Sequence, residues 1–157
     1  MLFRSLLFTT RHLKDSEIAY LKSKSNVIPS VFPIGYDGLA FIVNKNNQDT
    51  CITVNDIKRV LTGKATKWSD IVPGSKRGDI EVIFANTRSA TPNWVVDSVL
   101  HGEKMGAKIM AAKTSKQVID FVDETPGAIG VIGSNWLNDR RDSTNTTFKK
   151  NIHVMRV

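Results

Sequence analysis

The chain has a single cysteine, Cys51. No internal disulfide can form, which excludes a stapled secreted miniprotein. Its neighbours Thr50 and Ile52 supply neither a base nor an electropositive setting, so Cys51 reads as a half-buried free thiol rather than a nucleophile. No apolar run approaches the roughly 18 residues that a membrane-spanning helix needs. The opening MLFRSLLF has an arginine and a few apolar residues, but neither the apolar core nor the cleavage site of a secretory signal. There is no G-x-S-x-G elbow and no Walker loop, and Thr62-Gly63-Lys64 is too short to cradle phosphates. His12, His101 and His153 stand far apart, without acidic or cysteine partners at ligand spacing, so no metal site is expected. Asp15 with Glu17, and Asp120 with Asp123 and Glu124, suit helix ends and solvent faces better than acid/base pairs. No enzyme and no resident cofactor is expected.

What the chain does have is charge of one sign in excess. Twenty-two Lys and Arg against fifteen Asp and Glu give 157 residues a net charge of +7. This favours anionic partners: small oxyanions, nucleic acid or an acidic surface. The excess is scattered, its densest groups being Lys22 with Lys24, Lys64 with Lys67, Lys76 with Arg77, Arg140 with Arg141, and Lys149 with Lys150. That is the pattern of a solvated surface, and no nucleic-acid partner is expected. Trp68, Trp94 and Trp136 read as core anchors rather than stacking platforms.

Apolar periodicity alternates between strand and helix. Leu2 to Phe8 reads as an opening strand. A helix capped by Asp15 or Ser16 runs to about Lys24, with Ile18 and Leu21 inward. Pro29 and Pro33 punctuate VIPSVFPI and demote it to an edge strand or a connecting segment. LAFIV (39–43) is a continuous apolar run, suited to a strand covered on both faces. Thr53 to Asp56 resembles a capping box ahead of a helix carrying Ile57, Val60 and Leu61, closed by Gly63. Lys67 to Ile71 reads as a 3₁₀ turn pinned by its indole. Ala107 to Ala112 is a weak strand. Thr114 to Gln117 caps a helix with Val118, Ile119, Phe121 and Val122 on its buried face. AIGVI (128–132) is another covered strand, with Gly130 at a close backbone approach. Ile152 and Val154 fall in a final strand. Strands alternating with short helices predict an α/β architecture.

Between them lies IEVIFANTRSATPNWVVDSVLHG (80–102), which reads strand, loop, helix. Thr91 suits the N-cap and Pro92 the first helical position. Val95, Val96, Val99 and Leu100 form a stripe, and Gly102 a stop. The first N–H groups of a helix have no partners, and its dipole adds about half a positive charge there. Arg88, Ser89 and Thr91 add a guanidinium and two hydroxyls, and Ala90 a backbone N–H. The same residues also suit a plain helix cap, the commoner meaning of such a loop.

Four blocks carry a resemblance: DGLAFIVNKNN, TVNDIKRVLTGKATKWSDI, the S-A-T loop before a helix, and TPGAIGVI. Over most of Thr9 to Leu137 they resemble the phosphate-binding substrate-binding proteins of ABC importers and the wider PBP-like type 2 solute-binding domains. The resemblance implies mixed sheets flanked by helices in two α/β lobes, with an oxyanion held in the cleft between them. It implies that residues 1–43 are part of a first lobe with a hinge strand at 39–44. Residues 44–130 would be the second lobe with the anion-binding loop, and 131–157 a return segment to the first. It also implies a truncated first lobe, because the family's long segment ahead of Thr9 to Leu13 has no counterpart. Apolar strand faces left uncovered would favour a homodimer formed by domain swapping.

The family's ligand loop, Arg-x-Asp-Gly-Ser-Gly-Thr, is matched by Ser89, Ala90 and Thr91 at its Ser-Gly-Thr. Ala85, Thr87 and Arg88 fall at its arginine, aspartate and first glycine. Two charged contacts are therefore absent, and a shifted Arg88 is the available replacement for the guanidinium. The implied function is non-enzymatic binding of phosphate or a similar oxyanion for an ABC importer permease, in the periplasm or cell envelope. Arg88, Ser89, Ala90 and Thr91 would be the ligand-binding residues. The vacant Ala85 and Thr87 positions favour an alternative, a cell-envelope interaction or scaffold protein that kept the fold and lost the ligand.

Overall fold

A computed structural model describes residues 6–9, 12–26, 28–36, 38–85, 90–106, 108–138 and 150–157. The chain divides into two compact units, Met1–Tyr36 and Asp37–Val157. In the first unit, helix α1 (Asp15–Ser25) has Lys14 at its cap position rather than Asp15 or Ser16. The Glu17 carboxylate reaches back to accept the Lys14 N–H at 2.8 Å, and Asn26 ends the helix in the left-handed region. Ile18 and Leu21 are only half-buried, and α1 buries no residue. The expected opening strand is not formed over 6–9, the part of it that is described.

The second unit is one five-stranded sheet in the order β3-β2-β4-β1-β5. Its strands are β1 (Leu39–Asn44), β2 (Glu81–Ala85), β3 (Ile109–Ala112), β4 (Ala128–Gly133) and β5 (Ile152–Val154). β2 runs parallel to β3 and to β4, whereas β1 is antiparallel to both β4 and β5. The expected boundaries at 43/44 and 130/131 cut through β1 and β4, because both strands hydrogen-bond within the same sheet as β2. Continuous apolar runs such as LAFIV follow from two-sided burial. Phe41, Val43, Val82, Phe84, Ile129 and Val131 face one core, with Ile57, Val60 and Leu61 of α2 (Val54–Leu61) and Val95 of α3 (Ala90–Ser98). Ala40, Ile42, Ile83, Ala128 and Ile132 face the other, with Val118, Ile119 and Val122 of α4 (Ser115–Glu124) and Leu137 of α5 (Asn135–Asn138).

Local signals account for most helix starts. Thr53 Oγ1 accepts the Asp56 N–H at 3.1 Å and donates to its carboxylate at 2.6 Å. Thr114 Oγ1 accepts the Gln117 N–H at 3.3 Å, while Gln117 Oε1 accepts from Lys113 N rather than Thr114 N. The far end of α4 is capped from the sheet. Buried Asn44 donates its amide to the Val122 and Asp123 carbonyls at 3.1 and 2.6 Å.

Candidate functional site

Three parallel strands end on one edge of the sheet, at Ala85, Ala112 and Gly133. The register pairs Ala85 with Ala112 and Phe84 with Val131. From β2 the chain passes through α3 to β3 on one side. From β4 it continues toward β5 on the other. The carboxyl ends of β2 and β4 therefore flank a topological switch point, where open α/β sheets form their ligand crevices.

The four residues between Ala85 and Ala90 join the end of β2 to the start of α3. Arg88 and Ser89 belong to this connection and lie outside the described residues, as do Asn86 and Thr87. Ala90 and Thr91 are the first two residues of α3. The helix thus begins two residues before Pro92, and Thr91 lies inside it rather than at its cap. Pro92 becomes the third helical residue, still in the first turn, where its missing N–H removes no helical bond.

Sequence reasoning did not single out the residues that share this edge. Ser134 follows β4 directly and is half-buried. Its N–H donates to the Gly38 carbonyl at 2.7 Å. A Cβ at Gly38 would stand 3.0 Å from Ser134 Oγ, so glycine permits the approach. Lys113 follows β3 on the same edge. The available signal was the Gly133-Ser134 step, small residues immediately after a covered strand.

The T-G-K-x-x-x-W block, the most specific part of the resemblance, ties neighbouring segments together. Gly63 takes φ +77° to end α2. Lys58 and Lys64 both reach the Glu103 carboxylate, at 2.8 and 3.2 Å. The two ammonium groups hold that carboxyl below its usual pKa, Lys58 more than Lys64. The Gly106 N–H donates to the Leu61 carbonyl at 2.8 Å. Trp68 is fully buried, and its indole N–H donates to the Gly127 carbonyl at 2.9 Å. Asp70 accepts the Thr66 and Lys67 N–H groups, each at 2.9 Å, and those bonds lower its pKa, with Lys67 the larger cause. The block clamps neighbouring loops around the 3₁₀ turn Trp68–Asp70.

Two other expectations are corrected. Cys51 is exposed rather than half-buried; it sits on a bridge to Arg156, and its sulfur receives an Arg156 N–H at 3.3 Å. Trp94 is 48% exposed and is no core anchor; Val95 next to it is buried. Among the described residues, no group of three or more His, Cys, Asp or Glu could hold a metal ion, and no helix is long and apolar enough to cross a membrane.

Comparison with known proteins gives one family model, described as the PBP superfamily domain, matching residues 5–156. The phosphate-binding protein PstS of Staphylococcus epidermidis is 25% identical over 134 residues, 85% of this chain and 40% of that protein. PstS of Bacillus subtilis is 28% identical over 102 residues, 65% of this chain and 33% of the relative. This chain thus spans about 40% of the length of the first of these relatives. A possible phosphate-binding protein from Planctomyces limnophilus superposes with TM-score 0.70 at 21% identity, over 94% of this chain and 50% of the other. A putative phosphate ABC transporter substrate-binding protein from Clostridium perfringens, solved with bound phosphate, gives TM-score 0.58 at 26% identity, over 77% and 54%. These relatives lend no support to the scaffold alternative.

Proposed function

The chain belongs to the PBP superfamily domain family, and on that premise we propose that it is a non-enzymatic solute-binding module for phosphate or a similar oxyanion. The carrying observation is that β2 ends, and the sequence then leads into α3, at the switch point of the sheet. A sequence with a guanidinium and two hydroxyls, Arg88, Ser89 and Thr91, joins a parallel strand to a helix start at the switch point of the sheet. In this reading the Arg88 guanidinium supplies the charge, the Ser89 and Thr91 hydroxyls donate to oxygen atoms, and the Ala90 N–H adds a backbone contact.

The relatives' names support phosphate as the first ligand to test and an ABC importer permease as the partner served. A protein serving such a permease would work in the periplasm or cell envelope. Residues 37–157 then correspond to one lobe of a two-lobed binding protein. The vacant Ala85 and Thr87 positions remove two charged contacts and weaken discrimination among oxyanions.

Isothermal calorimetry with phosphate, sulfate and molybdate tests this reading. Phosphate binding that the double change Arg88→Ala, Ser89→Ala reduces by about tenfold or more is the expected result, for the loss of a charge-assisted hydrogen bond and a hydroxyl. Unchanged binding in the double variant overturns the site, and no heat with any of the three anions overturns the function.

A further inference from the structure

Among the described residues, the buried polar side chains are Asn44, at the end of β1, and Asn47, in the loop that follows it. Asn44 uses both ends of its amide. Its nitrogen donates to the Val122 and Asp123 carbonyls, and its Oδ1 accepts the Asn46 N–H at 2.9 Å. Asn47 uses only one end. Its Oδ1 accepts the Asp49 N–H at 2.9 Å, and its backbone N–H donates to the Asn44 carbonyl at 2.8 Å. Its Nδ2 is, among the described residues, the one buried side-chain polar atom without a hydrogen-bond partner.

Neither of the simple remedies works. Turning the amide over would point its nitrogen at the Asp49 N–H, donor against donor, and strand the oxygen instead. Swinging Asn47 out to solvent is opposed from both sides. Asn46 and Gln48 are already the exposed residues of the loop, and Asn47 is 0% exposed between them. Arg77 clamps the flanking positions, its Nη2 donating to the Asn46 carbonyl at 2.9 Å and its Nε to the Asp49 carboxylate at 3.3 Å. Ser75 Oγ donates to the same carboxylate at 3.1 Å. A buried amide donor held in place without a protein acceptor is costly, and such groups are satisfied by ordered water where the chain offers nothing.

We infer that Asn47 Nδ2 donates to a single water molecule sealed beneath the loop of residues 44–50. The chemistry selects water over an ion. Nδ2 is a donor, which excludes a cation, and the Asp49 carboxylate in the same loop repels an anion. A water also donates two protons of its own. Among the described residues, the Lys45 and Asn47 carbonyls of this loop accept no hydrogen bond, so acceptors of the required kind are present. The water keeps Asn47 turned inward. It thereby sets the Asp49 carboxylate against Arg77 and Ser75 and ties the end of β1 to the segment that leads into β2. This role is independent of anion binding.

Water–protein NOE and ROE spectroscopy of the isotope-labelled full chain tests the site. The Asn47 side-chain amide protons should give water cross-peaks of opposite sign in the two experiments, the signature of a resident water; simple proton exchange gives the same sign in both. Relaxation dispersion of the solvent should then count one long-lived water fewer in Asn47→Leu, which keeps the volume and loses the donor. The wild-type spectrum decides the matter if the leucine variant does not fold. Absence of water cross-peaks at the wild-type amide overturns the proposal, as does an unchanged water count in a folded Asn47→Leu. So does an Asn47 amide resonance that shifts and saturates with added chloride or phosphate, which would put an anion in that place.

Discussion

Gly130 occupies the middle of β4 beneath α4. A Cβ there would lie 2.7 Å from Val118 Cγ1 and 2.8 Å from Ile42 Cγ1 and Val122 Cγ2. All three neighbours are fully buried, so none can swing away. Gly130→Ala should therefore cost about 1–3 kcal/mol through overpacking, seen as a lower urea midpoint at unchanged slope. Equal stability of the alanine variant would mean that α4 is not seated this closely. The sequence marked Gly130 because glycine inside a covered strand has few other uses. It did not reveal the neighbours, since Ile42 is far away in the chain. The same limit separated two tryptophans of one chemistry. Trp68 is sealed in the core and Trp94 is not, because only packing decides which side of a helix turns inward. Arg88 and Ser89 stood out in the sequence for the guanidinium and hydroxyl they carry, whereas Ser134 and Gly38 came together only when β4 paired with β1.

At the scale of elements, α2 is tied to the chain beyond α3 by a carboxylate between two ammonium groups, Glu103 with Lys58 and Lys64. The folded Glu103 pKa is lowered, as is that of Asp70. A lowered folded pKa stabilises the fold at pH values above the unfolded carboxyl pKa, and this stability is lost as pH falls through the folded value. The thermal midpoint should hold from neutrality down to about pH 4.5 and fall below it. Glu103→Gln should flatten part of that acid limb and change the neutral midpoint little, because exposed pairs contribute little there. An identical acid limb in the variant would show that the pair carries none of the linkage. Threonine caps at 53 and 114 were readable because each hydroxyl finds its N–H within one turn. The start of α3 was misplaced by two residues because proline fits anywhere in a first turn. The strand expected near Leu6 to Phe8 failed for a different reason: an apolar run needs a partner, and pairing is not local information.

For the molecule as a whole, β1 and β4 look alike in sequence whichever lobe they serve, since a strand covered on both faces is only a run of apolar residues. Their partners place them in the same sheet as β2 and β3. Both hydrophobic cores are built from residues of the second unit alone, and no described residue of 6–36 belongs to either. The sheet, its two helical layers and the β2–α3 connection all lie within Asp37–Val157. A chain of residues 37–157 should therefore fold by itself. Its urea transition should be cooperative, with a midpoint close to that of the full chain, since every residue of the two cores is retained. It should bind phosphate as the full chain does. A broad, non-cooperative transition, with the near-ultraviolet circular dichroism lost, would show that the first 36 residues complete a core in the second unit.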